Sequence, residues 1–157
     1  MNILVTGGTG FVGKALVTAL LSRGDSVTVL TRSIEKAQSI FPEKTPQFLT
    51  ALSTLKDLNT FDAVINLAGE PIFDKKWTVQ QKEELRHSRI NLAQQLVQLI
   101  NQSDYPPALI SGSATGIYGN CGEDQITEET NPSSQFTAQL CIDWENAAKQ
   151  ANTRVCL

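Results

Sequence analysis

The chain is poor in the residues that build metal and redox sites. Its 157 residues include one histidine and three cysteines. Cys121, Cys141 and Cys156 are odd in number and far apart, which argues against a disulfide framework and against a zinc site. That usage fits a reducing cytoplasm, with the thiols as small apolar fillers or surface groups. His87 stands in a polar helical stretch, where a solvated ring is expected. There is no basic block: 13 basic and 16 acidic residues leave a net charge of −3. Nucleic acid and anionic membrane surfaces therefore find no electrostatic footprint. No apolar run reaches the roughly 18 residues of a membrane span. The strand-like "NILVTG" starts at once, so no signal peptide is expected. Repeats and low-complexity tracts are also missing.

What is present is ordinary globular material, 41% hydrophobic and 18% charged, of a length that suits one domain. Strand and helix patterns alternate along it. "NILVTG" (2–7) is a short apolar run ending in glycine. Helical spacing over 10–24 puts Val12, Leu16, Leu20 and Leu21 on one face, with Gly24 as a stop. "SVTVLTR" (26–32) is β-branched and reads as a strand. Residues 33–46 are weakly helical and interrupted by Pro42 and Pro46; 47–52 reads as a third strand. "FDAVINLAG" (61–69) is a buried strand, and a long helix over 79–101 carries the stripe Leu85, Leu92, Leu96 and Leu99. "PALISGSA" (107–114) is the next strand, followed by a glycine- and acid-rich loop to Pro132. Within that loop "EDQITEE" (123–129) reads as a solvated acidic stretch. Ser133 or Ser134 is expected to cap a helix over 134–151, with Phe136, Leu140, Trp144 and Ala148 at four-residue intervals. "TRVCL" (153–157) begins another strand. Strands separated by helices imply a Rossmann-like, doubly wound parallel sheet in three layers, α/β/α. Such sheets bind ligands at the carboxyl ends of their strands. That rule selects residues 6–13, 31–33, 67–73 and 111–119.

The first of these segments fits several glycine templates at once. In "LVTGGTGFVGKAL" (4–16), Gly8, Gly10 and Gly13 spell G-x-G-x-x-G; Gly7, Gly10 and Gly13 spell G-x-x-G-x-x-G. Gly8 to Lys14 spell a triphosphate loop lacking its last residue. The triphosphate reading needs a hydroxyl after the lysine and a strand-end aspartate for magnesium. Ala15 stands at the first position, and "AVINLAG" ends in Ala68 and Gly69. The dinucleotide reading needs a strand, a tight glycine turn and a helix whose N-terminus faces the pyrophosphate, and all three are expected here. Nineteen residues past Gly13 stands Arg32, where an acid would take the 2′-hydroxyl of NAD. A forked cation flanked by the hydroxyls of Thr31 and Ser33 suits a 2′-phosphate instead, so NADP is favoured over NAD. Arg89 falls on the apolar stripe of the long helix. A charge there needs a cofactor phosphate or a buried carboxylate, or else snorkels over the core. Ser113 supplies a hydroxyl at a strand end, either to polarise a carbonyl or to cap a turn. Glu70 follows "NLAG" directly.

"TGGTGFVG" (6–13), "NLAG" (66–69) and "SGSATGIYG" (111–119) together resemble the extended short-chain dehydrogenase/reductase superfamily. "NLAGEPI" (66–72), Trp77, "SRIN" (88–91) and "CIDWENAA" (141–148) resemble its atypical branch of NAD-dependent epimerase/dehydratase-like proteins. The resemblance implies an NADP-type cofactor against Gly7, Thr9, Gly10, Phe11, Val12 and Gly13, at Thr31 and Arg32, and against Leu67, Ala68 and Gly69, with Arg89 beside it. It implies a hydride-transferring oxidoreductase or nucleotide-sugar epimerase acting on a small-molecule substrate. It also implies a full-length relative about twice as long, with 1–157 as the dinucleotide-binding domain, truncated before the part that supplies most of the substrate pocket. Such enzymes use Ser or Thr with a Tyr/Lys pair four residues apart on one helix. The lysine lowers the phenol pKa so that the tyrosine works as acid or base. Phe136 and Leu140 stand at those places in one register, Thr137 and Cys141 in the next. The pair is absent in both, and Ser113 alone remains of the catalytic set. Tyr118 matches a tyrosine that packs or lines the pocket in the superfamily, and Asn91 one that holds a water. The expected function is an NADP-binding oxidoreductase- or epimerase-like protein with an altered catalytic set; the alternative is a non-catalytic, dinucleotide-dependent sensor or interaction module. The superfamily often pairs through the helices at 79–101 and 134–151, so a homodimer is also in view, with Phe136, Leu140 and Trp144 serving that contact or the core.

Overall fold

A computed structural model describes residues 1–42 and 45–157. Among the described residues six strands form one all-parallel sheet in the order β3-β2-β1-β4-β5-β6. They are β1 (Asn2–Thr6), β2 (Ser26–Leu30), β3 (Gln47–Leu49), β4 (Ala63–Asn66), β5 (Ala108–Ser111) and β6 (Val155–Cys156). The helices are α1 (Phe11–Arg23), α2 (Ile34–Ile40), α3 (Val79–Arg86), α4 (Leu92–Asn101) and α5 (Phe136–Ala148). The expected Rossmann-like sheet is therefore the observed one. Part of the proline-bounded stretch 33–46, at residues 43 and 44, lies outside the described residues.

The strands alternate their side chains between two cores, as the two-residue period of a strand requires. Ile3 and Val5 of β1 pack with Val27, Val29, Val17, Leu20 and Phe41 on the α1 side. Leu4 points the other way, into Val64, Leu109, Leu96, Ile100 and Ala148. Each fully buried leucine or isoleucine there stabilises by about 1.5–3 kcal/mol. Helices thus cover both faces, and the order of strands reverses between β1 and β4. Register sets Val5 opposite both Val29 and Ile65, which brings the carboxyl ends of β1, β2 and β4 level.

Three details differ from the sequence expectation. Val12 is exposed, because the face of α1 that meets the sheet runs through Gly13, Val17 and Leu20. The long helix is broken by a π-turn at His87–Asn91 between α3 and α4, so its hydrogen-bond ladder changes pitch while the leucine stripe continues. The N-cap of α5 is Gln135, not Ser133 or Ser134; Ser133 Oγ instead accepts from the Gln135 amide at 3.4 Å.

Candidate functional site

β1 feeds straight into the glycine turn. Gly7 has φ +68°, and a Cβ on it would stand 2.6 Å from the Leu67 carbonyl carbon. Only glycine combines that conformation with so close an approach to the chain leaving β4. The Gly10 amide donates to Gly7 O at 2.9 Å and closes the turn. Gly13 lies on the first turn of α1, where a Cβ would collide with Gly7 O. Gly8 packs on Val29, 2.9 Å from a hypothetical Cβ. Gly10 differs from the other three: it is exposed, and among the described residues a Cβ on it would meet Gly7 O, at 3.2 Å, and no other non-adjacent residue within 4 Å. α1 starts at Phe11 with no side-chain cap and no acid in its first turn. The first helical amides have no intrahelical acceptor, so the positive end of α1 faces outward beside Gly10. Phe11 is 99% exposed and Val12 62%, so neither side chain is packed into the fold at this point. Thr9 is half-buried in the turn.

A buried polar ladder ties three strand ends together. Thr6 Oγ1 donates to Asn66 Oδ1 at 2.6 Å, and Asn66 Nδ2 donates to Ser111 Oγ at 3.4 Å. The Ala68 amide donates to Thr6 Oγ1 at 3.3 Å, and the Gly112 amide to Asn66 O at 2.9 Å. These bonds fix the carboxyl ends of β1, β4 and β5 in one line beneath the glycine turn. Sequence reasoning missed Asn66 and Ser111. The available signal was one polar residue near the end of each buried apolar strand.

Arg32 stands exposed just past β2. Thr31 Oγ1 both donates to Ser33 O and accepts from the Ser33 amide, while Ser33 Oγ caps α2. The two hydroxyls are thus tied into their own turn, and Arg32 has no ion-pair partner among the described residues. Arg32 lines an open cleft with Glu70, Lys75, Thr78, Gln80, Gln81 and Glu84. Lys75 Nζ donates to Glu70 Oε1 at 2.8 Å, and the Glu70 amide donates to Ser88 Oγ at 2.9 Å. The Lys75 hydrogen bond holds the Glu70 carboxyl below the usual carboxylate range, with Arg32 and Arg89 adding to it.

Leu67 and Ala68 are half-buried, and Gly69 is exposed against Arg89. A Cβ on Gly69 would lie 2.8 Å from Arg89 Cζ. The guanidinium also sits 5.5 Å from the Trp144 ring centroid. Arg89 Nη1 donates to Leu85 O and Ser88 Oγ, both at 3.3 Å. Burial draws its pKa down. No carboxylate pairs with it among the described residues, so of the partners expected from sequence the buried acid is not there. Asn91, at the end of the same π-turn, is exposed.

The loop after β5 lies along one face of α5. Ser113 Oγ donates to Glu145 Oε1 at 2.6 Å, and Lys149 Nζ reaches Glu145 Oε2 at 3.1 Å. The Ala114 backbone lies beside Cys141, and Thr137 Cβ would lie 3.8 Å from a Cβ on Gly116. Residues 137, 141 and 145 thus form the stripe facing the Ser113 loop. Burial pushes the Cys141 thiol pKa up, with Glu145 adding to the shift. Leu140 is 2% exposed in the interior. Phe136 lies edge-on to Trp77, centroids 5.7 Å apart, with Lys82 Nζ 5.1 Å from its ring centre. Leu140, Trp144 and Ala148 all belong to the core of this chain. Tyr118 is half-buried after a short 3-10 turn.

The structure therefore brings the glycine turn, Leu67 to Gly69 and Arg89 to the β1/β4 boundary. Arg32 flanks them across the Glu70 cleft, and Ser113 stands at the end of β5. The open outer side of Gly10, beneath an uncapped helix N-terminus, fits an anionic bridge such as a pyrophosphate. A glycine turn feeding a helix at the reversal of strand order defines the doubly wound, Rossmann-like class.

The family model for the NAD dependent epimerase/dehydratase family matches residues 3–157, and the chain belongs to that family. It is 38% identical over 162 residues to the chloroplastic epimerase family protein SDR39U1 homolog of Arabidopsis thaliana, covering 99% of this chain and 46% of the relative. It is 35% identical over 147 residues to epimerase family protein YfhF of Bacillus subtilis, covering 92% and 48%. Human epimerase family protein SDR39U1, isoform 2, solved with NADPH, superposes with a TM-score of 0.81 at 28% identity, covering 99% of this chain and 52% of that one. The chain spans about half the length of these relatives.

Proposed function

We propose that the chain is the NADP-binding part of an oxidoreductase- or epimerase-like protein of the extended short-chain dehydrogenase/reductase type, with a non-standard catalytic set. The observation that carries this reading is the glycine turn, open at Gly10 below the uncapped start of α1, with Arg32 past the end of β2. Gly7, Thr9, Gly10, Phe11, Val12 and Gly13 would hold the pyrophosphate through backbone. Thr31 and Arg32 would flank the adenosine ribose, Leu67, Ala68 and Gly69 would back it, and Arg89 would offer its unpaired donors. The NADPH bound to human SDR39U1 supports the choice of nucleotide.

A nicotinamide held there supplies a hydride acceptor or donor. Within this chain the proton would fall to residues near the end of β5 and on α5. Phe136 and Leu140 cannot. Ser113 can, because its hydroxyl already donates to Glu145. As a substrate hydroxyl gives its proton to Ser113 Oγ, Ser113 passes its own to Glu145 Oε1, and the reverse serves a carbonyl. The substrate is a small molecule, and we propose that its pocket comes chiefly from the part of the relatives beyond the matched half. A cytoplasmic location and homodimerisation belong to the same proposal.

The non-catalytic sensor is the second reading, favoured by one observation. Phe136 is packed by Trp77 and Lys82, and Leu140 is in the core, so the places of the missing pair are filled with apolar packing. Turnover of NADPH by the longest available chain against aldehydes, ketones and nucleotide sugars separates the two. Turnover abolished by Ser113→Ala supports the enzyme; tight binding without turnover across the panel supports the sensor.

A further inference from the structure

The cleft between β2 and the segment after β4 contains more donors than Arg32. Gln81, 7% exposed, lines it, and its Nε2 has no hydrogen-bond partner among the described residues. A buried amide donor left unpaired costs about 1–3 kcal/mol, so it calls for an acceptor. Lys75 borders the same cleft on a side chain 60% exposed, and its one ion-pair partner among the described residues is Glu70. Across from both stands Arg32. With Glu70 and Glu84 included, the cleft is balanced, two cations against two carboxylates. A phosphate dianion beside Arg32 approaches Glu70, whose charge Lys75 offsets while the two are paired. Because an exposed ion pair is weak and easily exchanged, Lys75 can turn toward the doubly charged phosphate, which attracts it more strongly than a single carboxylate does.

We propose that Lys75 and Gln81 complete, with Arg32, the binding site for a ribose 2′-phosphate, and that Glu70 holds Lys75 in place until the phosphate arrives. This rests on the NADP reading and extends it from one residue to three. Lys75 gives the second positive charge, Gln81 a directional neutral donor, and Arg32 the fork. Thr78 keeps Gln81 in position, because its Oγ1 accepts from the Gln81 amide at 3.1 Å and caps α3.

The test uses two fragments, 2′,5′-ADP and 5′-AMP, titrated calorimetrically into the full chain at fixed ionic strength. Wild type should bind 2′,5′-ADP more tightly. Lys75→Gln, at an exposed position that leaves the fold intact, should weaken 2′,5′-ADP roughly tenfold and 5′-AMP hardly at all. Glu70→Gln should do the opposite and tighten 2′,5′-ADP. Gln81→Leu should weaken 2′,5′-ADP selectively, its fold checked by circular dichroism. Equal loss of both fragments in Lys75→Gln, or no loss of either, overturns the role of Lys75. Wild type binding both fragments equally, with Arg32→Gln changing nothing, defeats the NADP reading itself. Binding of neither fragment overturns the site.

Discussion

Gly13→Ala is the perturbation in which helix propensity and packing point in opposite directions. Alanine in a helix is favoured over glycine by about 0.8–1 kcal/mol. Here the new methyl would collide with Gly7 O and lie 2.7 Å from Gly8 Cα and 2.9 Å from the Gly7 carbonyl carbon. All three are backbone atoms of a turn pinned by the Gly10–Gly7 hydrogen bond, so no side chain can swing aside. Overpacking of this kind costs about 1–3 kcal/mol, and contacts to backbone place it in the upper part of that range. Subtracting the propensity gain leaves roughly 1–2 kcal/mol of destabilisation, or a fall in Tm of about 2–8 °C for a chain of this size. Gly10→Ala is the control. Among the described residues its methyl meets Gly7 O at 3.2 Å and no other non-adjacent residue within 4 Å. It should cost under about 1 kcal/mol of stability yet weaken NADPH binding by tenfold or more, because it occupies the approach of the pyrophosphate. Thermal melts of both variants with and without NADPH read the two effects separately. A Gly13→Ala protein more stable than wild type, or a Gly10→Ala protein that binds NADPH normally, refutes the reasoning.

Arg32→Asp should abolish or invert the preference for NADPH over NADH, measured as the difference in Tm shift at equal nucleotide concentration. Leu140→Lys should not restore a catalytic lysine; it buries an ammonium in the interior and should cost roughly 3 kcal/mol or more, seen as a lower urea midpoint. The Cys141 thiol should react with a disulfide reagent far more slowly than Cys156 near neutral pH, and the difference should vanish in denaturant, because burial both shields it and raises its pKa. A raised folded pKa contributes stability that is complete below the unfolded thiol pKa and is lost as pH rises through the folded value. Stability should therefore drop in mildly alkaline solution, and Cys141→Ala should flatten that part of the profile.

The parallel sheet was legible because its strands are short apolar runs separated by helical periodicity, and the turn because Gly7, Gly10 and Gly13 sit between the first strand and helix. The Thr6–Asn66–Ser111 ladder was not, since its members are 60 and 45 residues apart and meet only through parallel register. Arg89 stood out as a charge on an apolar stripe. Its setting did not, because a π-turn changes hydrogen-bond pitch without altering the spacing of leucines. The stripe of Thr137, Cys141 and Glu145 was obscured by the apolar series Phe136, Leu140, Trp144 and Ala148, which dominates any count of helical period. Only the contacts of the Ser113 loop distinguish the two faces. The Gln81 donor was hidden for a similar reason: a glutamine in a polar helix start reads as solvated until burial is known.

The most direct measurement is a paired titration of the chain with NADPH and NADH at matched salt, followed by calorimetry or by quenching of tryptophan fluorescence. The account predicts saturable binding of both, with NADPH the tighter. Binding of neither nucleotide at millimolar concentration, or NADH binding as tightly as NADPH, would contradict it.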